Sequence, residues 1–488
     1  MSAVARSPTS AGRIAAALIL FALAGTAGAE LPRAVGRAYL DAGIPLNSVA
    51  IVVQEIGAPR PLFAYDANRP MNPASVMKLV TTFTALELLG RDYRWKTEAY
   101  LDGPLERGTL NGNLVLKGYG DPKITIEQWQ SFMASLRAKG LDRVTGDLVL
   151  DRTYFKPAAH DPSEFDREPL KPYNVGPDAL LVNFNAVRFA FAPSPAGDAV
   201  LVHAEPPLSE VTLGPPPALG GSTCNDWRAA LAANFVNRGV SAAAAFAGQY
   251  AQDCGERDWY VALLDHPHYV YGMFATYFRE AGGEFTGSLK EGRAPRAAVP
   301  FAVLESPPLY DIMRDVNKLS NNVMARQIFL TLATTRYPPP ATPALAADVV
   351  RRFLSARRIA MPGLVLENGS GLSRAERVTA GGLVQLLATA DRSTAREEFA
   401  SSLAVAATDG TVQRRFQNGS VAGQALLKTG TLEGVRALAG YVIDAEGRRF
   451  IVVSIINHPG ANRGQAALDA LVQWVYRYAG HWDPALQR

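Results

Sequence analysis

With 488 residues and a formal charge of +4, the chain is too long for one ordinary core, and two or three domains are expected. Hydrophobic residues at 48% against 19% charged exclude a disordered chain, because burial on that scale offsets chain entropy. No run of four Lys or Arg marks a phosphate-tracking face, which argues against a nucleic-acid partner.

At the start, Arg6 and Arg13 precede an apolar run from Ile14 to Ala24, and Ala27-Gly28-Ala29 follows as an A-x-A site. This pattern predicts a secretory signal peptide over residues 1–29, cleaved on export to the periplasm. The apolar run is shorter than the ~20 residues a spanning helix needs, and no later run reaches that length. A mature chain without an integral membrane span is expected.

Residues 46–65, "LNSVAIVVQEIGAPRPLFAY", read as two strands around a Gly-Ala-Pro-Arg-Pro turn. They lead into a helix from Ala74 to Leu89, with Pro73 at its opening and Gly90 at its close. Beyond it, "NLVLKGYG", "GDLVLDRTYF", "NAVRFAFAPS" and "DAVLVHAEP" are strand-like pieces among Pro- and Gly-rich turns. They predict β-rich domains over residues 98–265, with a smaller one nested at about 175–255. Residues 194–221 are the most linker-like stretch, and "GYGDP" reads as a turn. Cys224 and Cys254 are the only cysteines, and an oxidising compartment favours a disulfide between them, with two free buried thiols as the alternative.

His266-Pro267-His268 reads as a loop with two surface imidazoles; no Cys/His cluster joins it, so no metal is expected. Helices follow at "YVYGMFATYFREAGG" and at "PLYDIMRDVNKLSNNVMARQIFLTLATT", where Ile312, Met313, Val316, Leu319 and Val323 recur at three and four. Ser320 and Asn322 fall between two helices. Residues 336–343 form a loop before another helix, "LAADVVRRFLSARR", and the arginine pairs 351–352, 357–358 and 414–415 read as solvated helix faces. Near the end, "ALLKTGT", "GVRALAGYVID" and "RRFIVVSIINH" predict an antiparallel meander, followed by a helix over about 464–478.

Three short motifs carry chemistry. Ser75 and Lys78 are three apart on one helix face, with Ser75 in the first turn, where free N–H groups face outward. A serine hydroxyl needs a base to become a nucleophile, and a lysine serves only when uncharged, a state favoured by burial and by a second cation. Ser75-Val76-Met77-Lys78 is the only SxxK of the chain, Ser320-Asn321-Asn322 the only Ser-x-Asn, and Lys428-Thr429-Gly430 the only KTG. Their order is that of serine acyl-transferring enzymes that act on penicillin, with the elements on a helix, a loop and a strand. In this arrangement Lys428 supplies the second cation and docks a substrate carboxylate, with the Thr429 hydroxyl beside it. Gly430 admits the substrate backbone, and the N–H groups of Thr431 and Ser75 make an oxyanion hole. Ser320 relays a proton to the leaving amine, and Asn322 holds the substrate amide and Lys78.

At these residues the chain resembles the class C, type-4 penicillin-binding proteins, the D-alanyl-D-alanine carboxypeptidase/endopeptidases. "NPASVMKLVTT", "LVLKGYGDP", "LSNNVMARQIF", "NGSGLSR", "TDGTVQRRF" and "LKTGTLEGVRALAGYV" look like that family's blocks, in its order. The resemblance implies an α/β (α+β) fold: a penicilloyl-serine transferase, β-lactamase-like domain of antiparallel sheet flanked by helices. Its two parts would be residues 30–97 and 266–488, split by the β-rich insert. The implied activity is hydrolysis of the terminal D-Ala-D-Ala bond of peptidoglycan stem peptides, and often of their cross-links. Ser75 would be acylated, Lys78 would be its base, and Ser320, Asn322, Lys428 and Thr429 would complete the site. Peptidoglycan peptides are then the partners, β-lactam antibiotics covalent inhibitors, and no cofactor is called for. Asn368 stands where an acidic residue is expected before Gly-Ser-Gly, which leaves its role open. Two alternatives stand beside this reading: a β-lactamase, against which the 245 positions between Ser75 and Ser320 argue, and a non-catalytic cell-wall binder.

Overall fold

The computed structural model describes residues 31–156, 159–221, 223–417 and 419–482, so the expected signal peptide lies outside the described residues. Both ends of the chain build one six-stranded antiparallel sheet, in the order Phe63–Tyr65, Val49–Glu55, Arg449–Asn457, Val435–Ile443, Ala425–Leu432 and Ala404–Val405. Its central strands are apolar along almost their whole length because both faces are covered. Side chains alternate between two cores as a two-residue period requires. Val49, Ile51, Leu438, Val452 and Ile456 face the helices Arg33–Asp41 and Gln465–Tyr478. Ala50, Val52, Ala437, Ala439, Val453 and Ile455 face a helical lobe.

At the centre of that lobe lies the helix Lys78–Leu89, buried on every side from Lys78 to Leu86. It packs against Leu309–Lys318, Asn322–Ala333, Pro343–Ala356 and Ala380–Asp391. The meander and the closing helix fall where the apolar runs place them; Leu46–Ser48, read as strand, is a 3₁₀ turn.

The section between the two parts has its own core and several small sheets. A five-stranded sheet joins Leu289–Glu291, Leu148–Asp151, Asn113–Gly118, Lys96–Asp102 and Ala302–Glu305. The boundary expected at residue 265 therefore cuts through a paired sheet. On strand pairing we propose that the insert runs from about residue 96 to 305, because the chain returns after the helix His266–Glu280 to complete that sheet. The stretch read as linker, 194–221, contributes the short strands Val200–Glu205, Val211–Leu213 and Ala218–Leu219. Cys224 and Cys254 are joined by a disulfide.

Two local readings are corrected. His266 and His268 begin a helix rather than lie in a loop, because Asp265 caps it by accepting from the His268 N–H and Pro267 suits its first turn. Arg415 is not on a solvated helix face; its guanidinium pairs with Asp469 beneath the sheet. Among the described residues no helix is long and apolar enough to cross a membrane, and no cluster of three His, Cys, Asp or Glu could hold a metal ion.

Candidate active site

Ser75 lies in a 3₁₀ turn, Ala74–Met77, that runs directly into the helix Lys78–Leu89. The turn is pinned from outside: the Asn72 side chain accepts from the Ala74 N–H and donates to the Ser373 carbonyl, while Asn457 holds the Asn72 backbone from both sides. Ala74 adopts a positive φ of 46°, a conformation costly for a residue with a Cβ and maintained here by those contacts. The result presents a partly exposed serine above a lysine that is fully buried.

Lys78 Nζ has three neighbours: Ser75 Oγ at 2.8 Å, Asn322 Oδ1 at 2.6 Å and the Ser370 carbonyl at 2.5 Å. Two of them only accept. A neutral amine gives its two hydrogens to Asn322 and Ser370, which leaves its lone pair toward the Ser75 hydroxyl. Burial pushes the Lys78 pKa well below the usual lysine range, and the Lys428 ammonium adds to this; Glu376 opposes, and Arg326 contributes in the same direction as Lys428.

Ser320 and Asn322 are set by the turn between Leu309–Lys318 and Asn322–Ala333. Ser320 has a φ of 58° and Asn321 caps the second helix by accepting from the Met324 N–H, so Ser320 and Asn322 straddle the cap. Lys428 Nζ donates to Ser320 Oγ at 2.9 Å and to the Thr429 carbonyl at 2.9 Å. It too is fully buried, and burial brings its pKa down to about 7. The strand Ala425–Leu432 is covered on its outer side only at Leu426 and Leu427 by the short strand Ala404–Val405, so its edge is open from Lys428 onward. Gly430 brings that edge against the Ser75 turn: a Cβ there would stand 2.4 Å from the Pro73 carbonyl and 3.2 Å from the Ser75 nitrogen. Thr431 follows on the exposed rim, its hydroxyl accepting from Arg436.

All eight residues singled out for catalysis and substrate binding thus converge on one cleft, while Cys224 and Cys254 belong to the insert's core. Four further residues outside the three short motifs frame the cleft. Ser370 supplies a carbonyl to Lys78, and its loop is held by Glu376, whose Oε1 accepts from the backbone N–H groups of Glu367, Asn368 and Gly369. Gly371 lets that loop pass the Ser75 turn, for a Cβ would lie 1.9 Å from the Ala74 carbonyl. Thr411 meets the Thr429 hydroxyl at 2.8 Å. The open question over Asn368 has a local answer: its Oδ1 accepts from the Ser370 N–H and hydroxyl and its Nδ2 donates to Leu372, folding the loop on itself. The paired glycines of "NGSGLSR" were the available signal for this loop. A cavity of about 390 Å³ opens beside it, with Arg326, Asn368, Arg374 and Phe165 in its wall.

Known proteins share this architecture. D-alanyl-D-alanine carboxypeptidase DacB of Haemophilus influenzae is 24% identical over 414 residues, 84% of this chain and 85% of that protein. The D-alanyl-D-alanine carboxypeptidase of an Actinomadura species is 29% identical over 452 residues, 89% of this chain and 82% of the relative. The crystal structure of penicillin-binding protein 4 of H. influenzae superposes with a TM-score of 0.75 at 23% identity, over 91% of this chain and 99% of that one. The family model for D-Ala-D-Ala carboxypeptidase 3 (S13) matches residues 32–478. With that match running unbroken through the serine turn, the Ser320 turn and the open strand edge, the chain belongs to the D-Ala-D-Ala carboxypeptidase 3 (S13) family.

Proposed function

We propose that the cleft hydrolyses the bond between two D-alanines at the end of peptidoglycan stem peptides, and D-alanyl cross-links between stems, through an acyl-enzyme on Ser75. By family the chain is a serine-type D-Ala-D-Ala carboxypeptidase; the residue roles are our reading. The observation that carries them is the Lys78 amine, enclosed by two acceptors and one serine hydroxyl. Ser75 Oγ attacks the carbonyl carbon as Lys78 takes its proton. The oxyanion is met by the N–H groups of Ser75 and Thr431. Collapse of the tetrahedral intermediate breaks the C–N bond, and the departing amine receives a proton through Lys78 or Ser320. Water then repeats the sequence on the ester, with Lys78 again the base.

The substrate is held as an added strand on the open edge from Lys428 to Thr431, its terminal carboxylate beside the Lys428 ammonium and the Thr429 hydroxyl. A cross-link enters the same way, with the neighbouring stem's amine as leaving group, and β-lactams acylate Ser75 at the same position. The H. influenzae structure has been determined with a β-lactam bound, which supports this for the present chain. A disulfide suits an oxidising compartment outside the cytoplasm, where this polymer lies. The test is a fluorescent penicillin and a pentapeptide mimic given to the protein and to Ser75→Ala. Covalent labelling and D-alanine release are both expected to vanish in the variant; labelling that persists removes Ser75 from its role. Slow loss of the penicilloyl group beside steady D-alanine release separates this activity from a β-lactamase, and labelling without D-alanine release would mark a binding protein.

A further inference from the structure

A second cavity, of about 410 Å³, lies on the seam between the insert and the helical lobe. The insert supplies Lys117 and Tyr119 at the end of one strand, the segment from Thr153 to Lys156, and Arg293; the lobe supplies Pro339 and Pro340. The seam is held by backbone pairing, with the Lys156 N–H on the Ala341 carbonyl and the Ala341 N–H on the Tyr154 carbonyl. Its wall carries three cations and no carboxylate. The carboxylates nearby are already committed, Asp178 and Glu291 to Arg152. Asp151, 3.7 Å from the Lys117 amine, accepts from Thr153 and from the Ala294 N–H. Glu98 accepts from the hydroxyls of Tyr100 and Tyr119 and from Lys96. Lys156 and Arg293 are exposed and, among the described residues, have no ion-pair partner. Between the cations stand apolar faces: Tyr119 and Tyr154 edge to face at 5.0 Å, Phe155 beside them, and the two proline rings.

We propose that this cavity binds a carboxylate-bearing stem peptide of the wall polymer other than the one in the cleft, an inference that rests on the function proposed above. A guanidinium grips a carboxylate with two parallel hydrogen bonds and an ammonium adds a point charge. Here the cations come from separate segments with aromatic and proline surface between them. That spacing matches carboxylates distributed along a short aliphatic peptide better than one compact phosphate. Position supports the same conclusion: the helix Asn322–Ala333 begins at the cleft, and the loop after it carries Pro339 and Pro340. Twelve residues of helix span ~18 Å, so one stem can occupy the cleft while another stem of the same polymer occupies the seam. The second contact raises the local concentration of scissile bonds for polymer and does nothing for a small mimic.

The experiment measures co-sedimentation with intact peptidoglycan, using Ser75→Ala protein so that the polymer is not consumed, with and without Lys156→Glu and Arg293→Glu together. Removing and reversing two exposed charges is expected to weaken binding about tenfold at low salt and to flatten its salt dependence. In the Ser75-bearing protein the same pair should leave penicillin labelling intact, which certifies folding, and leave D-alanine release from the mimic unchanged while release from polymer falls. Unaltered binding to polymer in the double variant overturns the proposal, while loss of D-alanine release from the mimic by the unsubstituted protein would instead strike the proposed function. Equal weakening on glycan strands stripped of their peptides would assign the cavity to sugar and overturn the peptide assignment. Competition by millimolar inorganic phosphate as strong as that by free stem peptide would do the same.

Discussion

Lys78 and Lys428 are both buried without a carboxylate in contact, yet the proposed reaction asks opposite states of them. Lys78 must be neutral to accept a proton, so activity rises with pH as it deprotonates, and its lowered pKa brings that limb below the usual lysine range. Lys428 must be charged to dock a carboxylate, and with a pKa of about 7 in the free enzyme it loses that charge on the alkaline side. The expected kcat/KM profile is therefore a bell whose falling limb lies near pH 7. Lys428→Arg keeps its charge throughout, and the alkaline limb should disappear even if KM rises. A limb that stays in place would show that another group titrates there. At this scale the sequence was most legible where chemistry demands a residue type: a serine, two lysines and an amide cannot be replaced by generic hydrophobes. It marked the loop of Ser370 by its glycines but gave Ser370 no role, because a backbone carbonyl can come from any residue, and it gave none to Glu376, which gathers N–H groups that only the folded loop brings together.

Single elements act here through close approach. The open edge of Ala425–Leu432 can take the proposed substrate strand only because Gly430 lets it lie against the Pro73–Ser75 turn. Adding one methyl there sets a carbon 2.4 Å from a backbone oxygen, and neither partner is a flexible side chain. The strand must move away from Ser75 and take the Thr431 N–H with it. A displacement near 1 Å at a reacting centre costs on the order of 10²-fold in rate, so Gly430→Ala should lower the acylation rate by about that factor. The same overpacking should lower its melting temperature, by about 1–3 kcal/mol of stability, while the ladder to Val435–Ile443 keeps the domain folded for the rate measurement. Stopped-flow labelling with a fluorescent penicillin reads the rate, and a variant that acylates normally would remove close packing from the explanation. Strand and helix positions in this part of the chain were readable because apolar periods of two and of three to four are long and uninterrupted. The helix read from Tyr269 onward begins one turn earlier, at His266, and that first turn was missed because its start is written in a cap, Asp265, rather than in a period.

For the whole molecule, the sheet joining the two chain ends was foreseeable from matching strand patterns, but the late strand pairing on which the proposed limits of the insert rest was not. Pairing of Leu289–Glu291 and Ala302–Glu305 with strands some 140 to 200 residues earlier leaves no local mark, since short strands of mixed polarity read alike wherever they pair. The insert also has a core separate from the two that flank the catalytic sheet, with Cys254 in it and Cys224 against it. This separation predicts where reduction is felt. A bridge across a sequence separation of 30 restricts the unfolded insert by about 3–4 kcal/mol on the chain-entropy account. None of the residues around Ser75 belongs to that core. Cys224→Ser with Cys254→Ser, or treatment with a thiol reductant, should lower the calorimetric transition of the insert while the acylation rate at Ser75 stays unchanged at temperatures below that transition. Loss of acylation in parallel with the shifted transition would mean that the insert and the catalytic lobe unfold as one cooperative unit, coupled through the Tyr154–Ala341 seam.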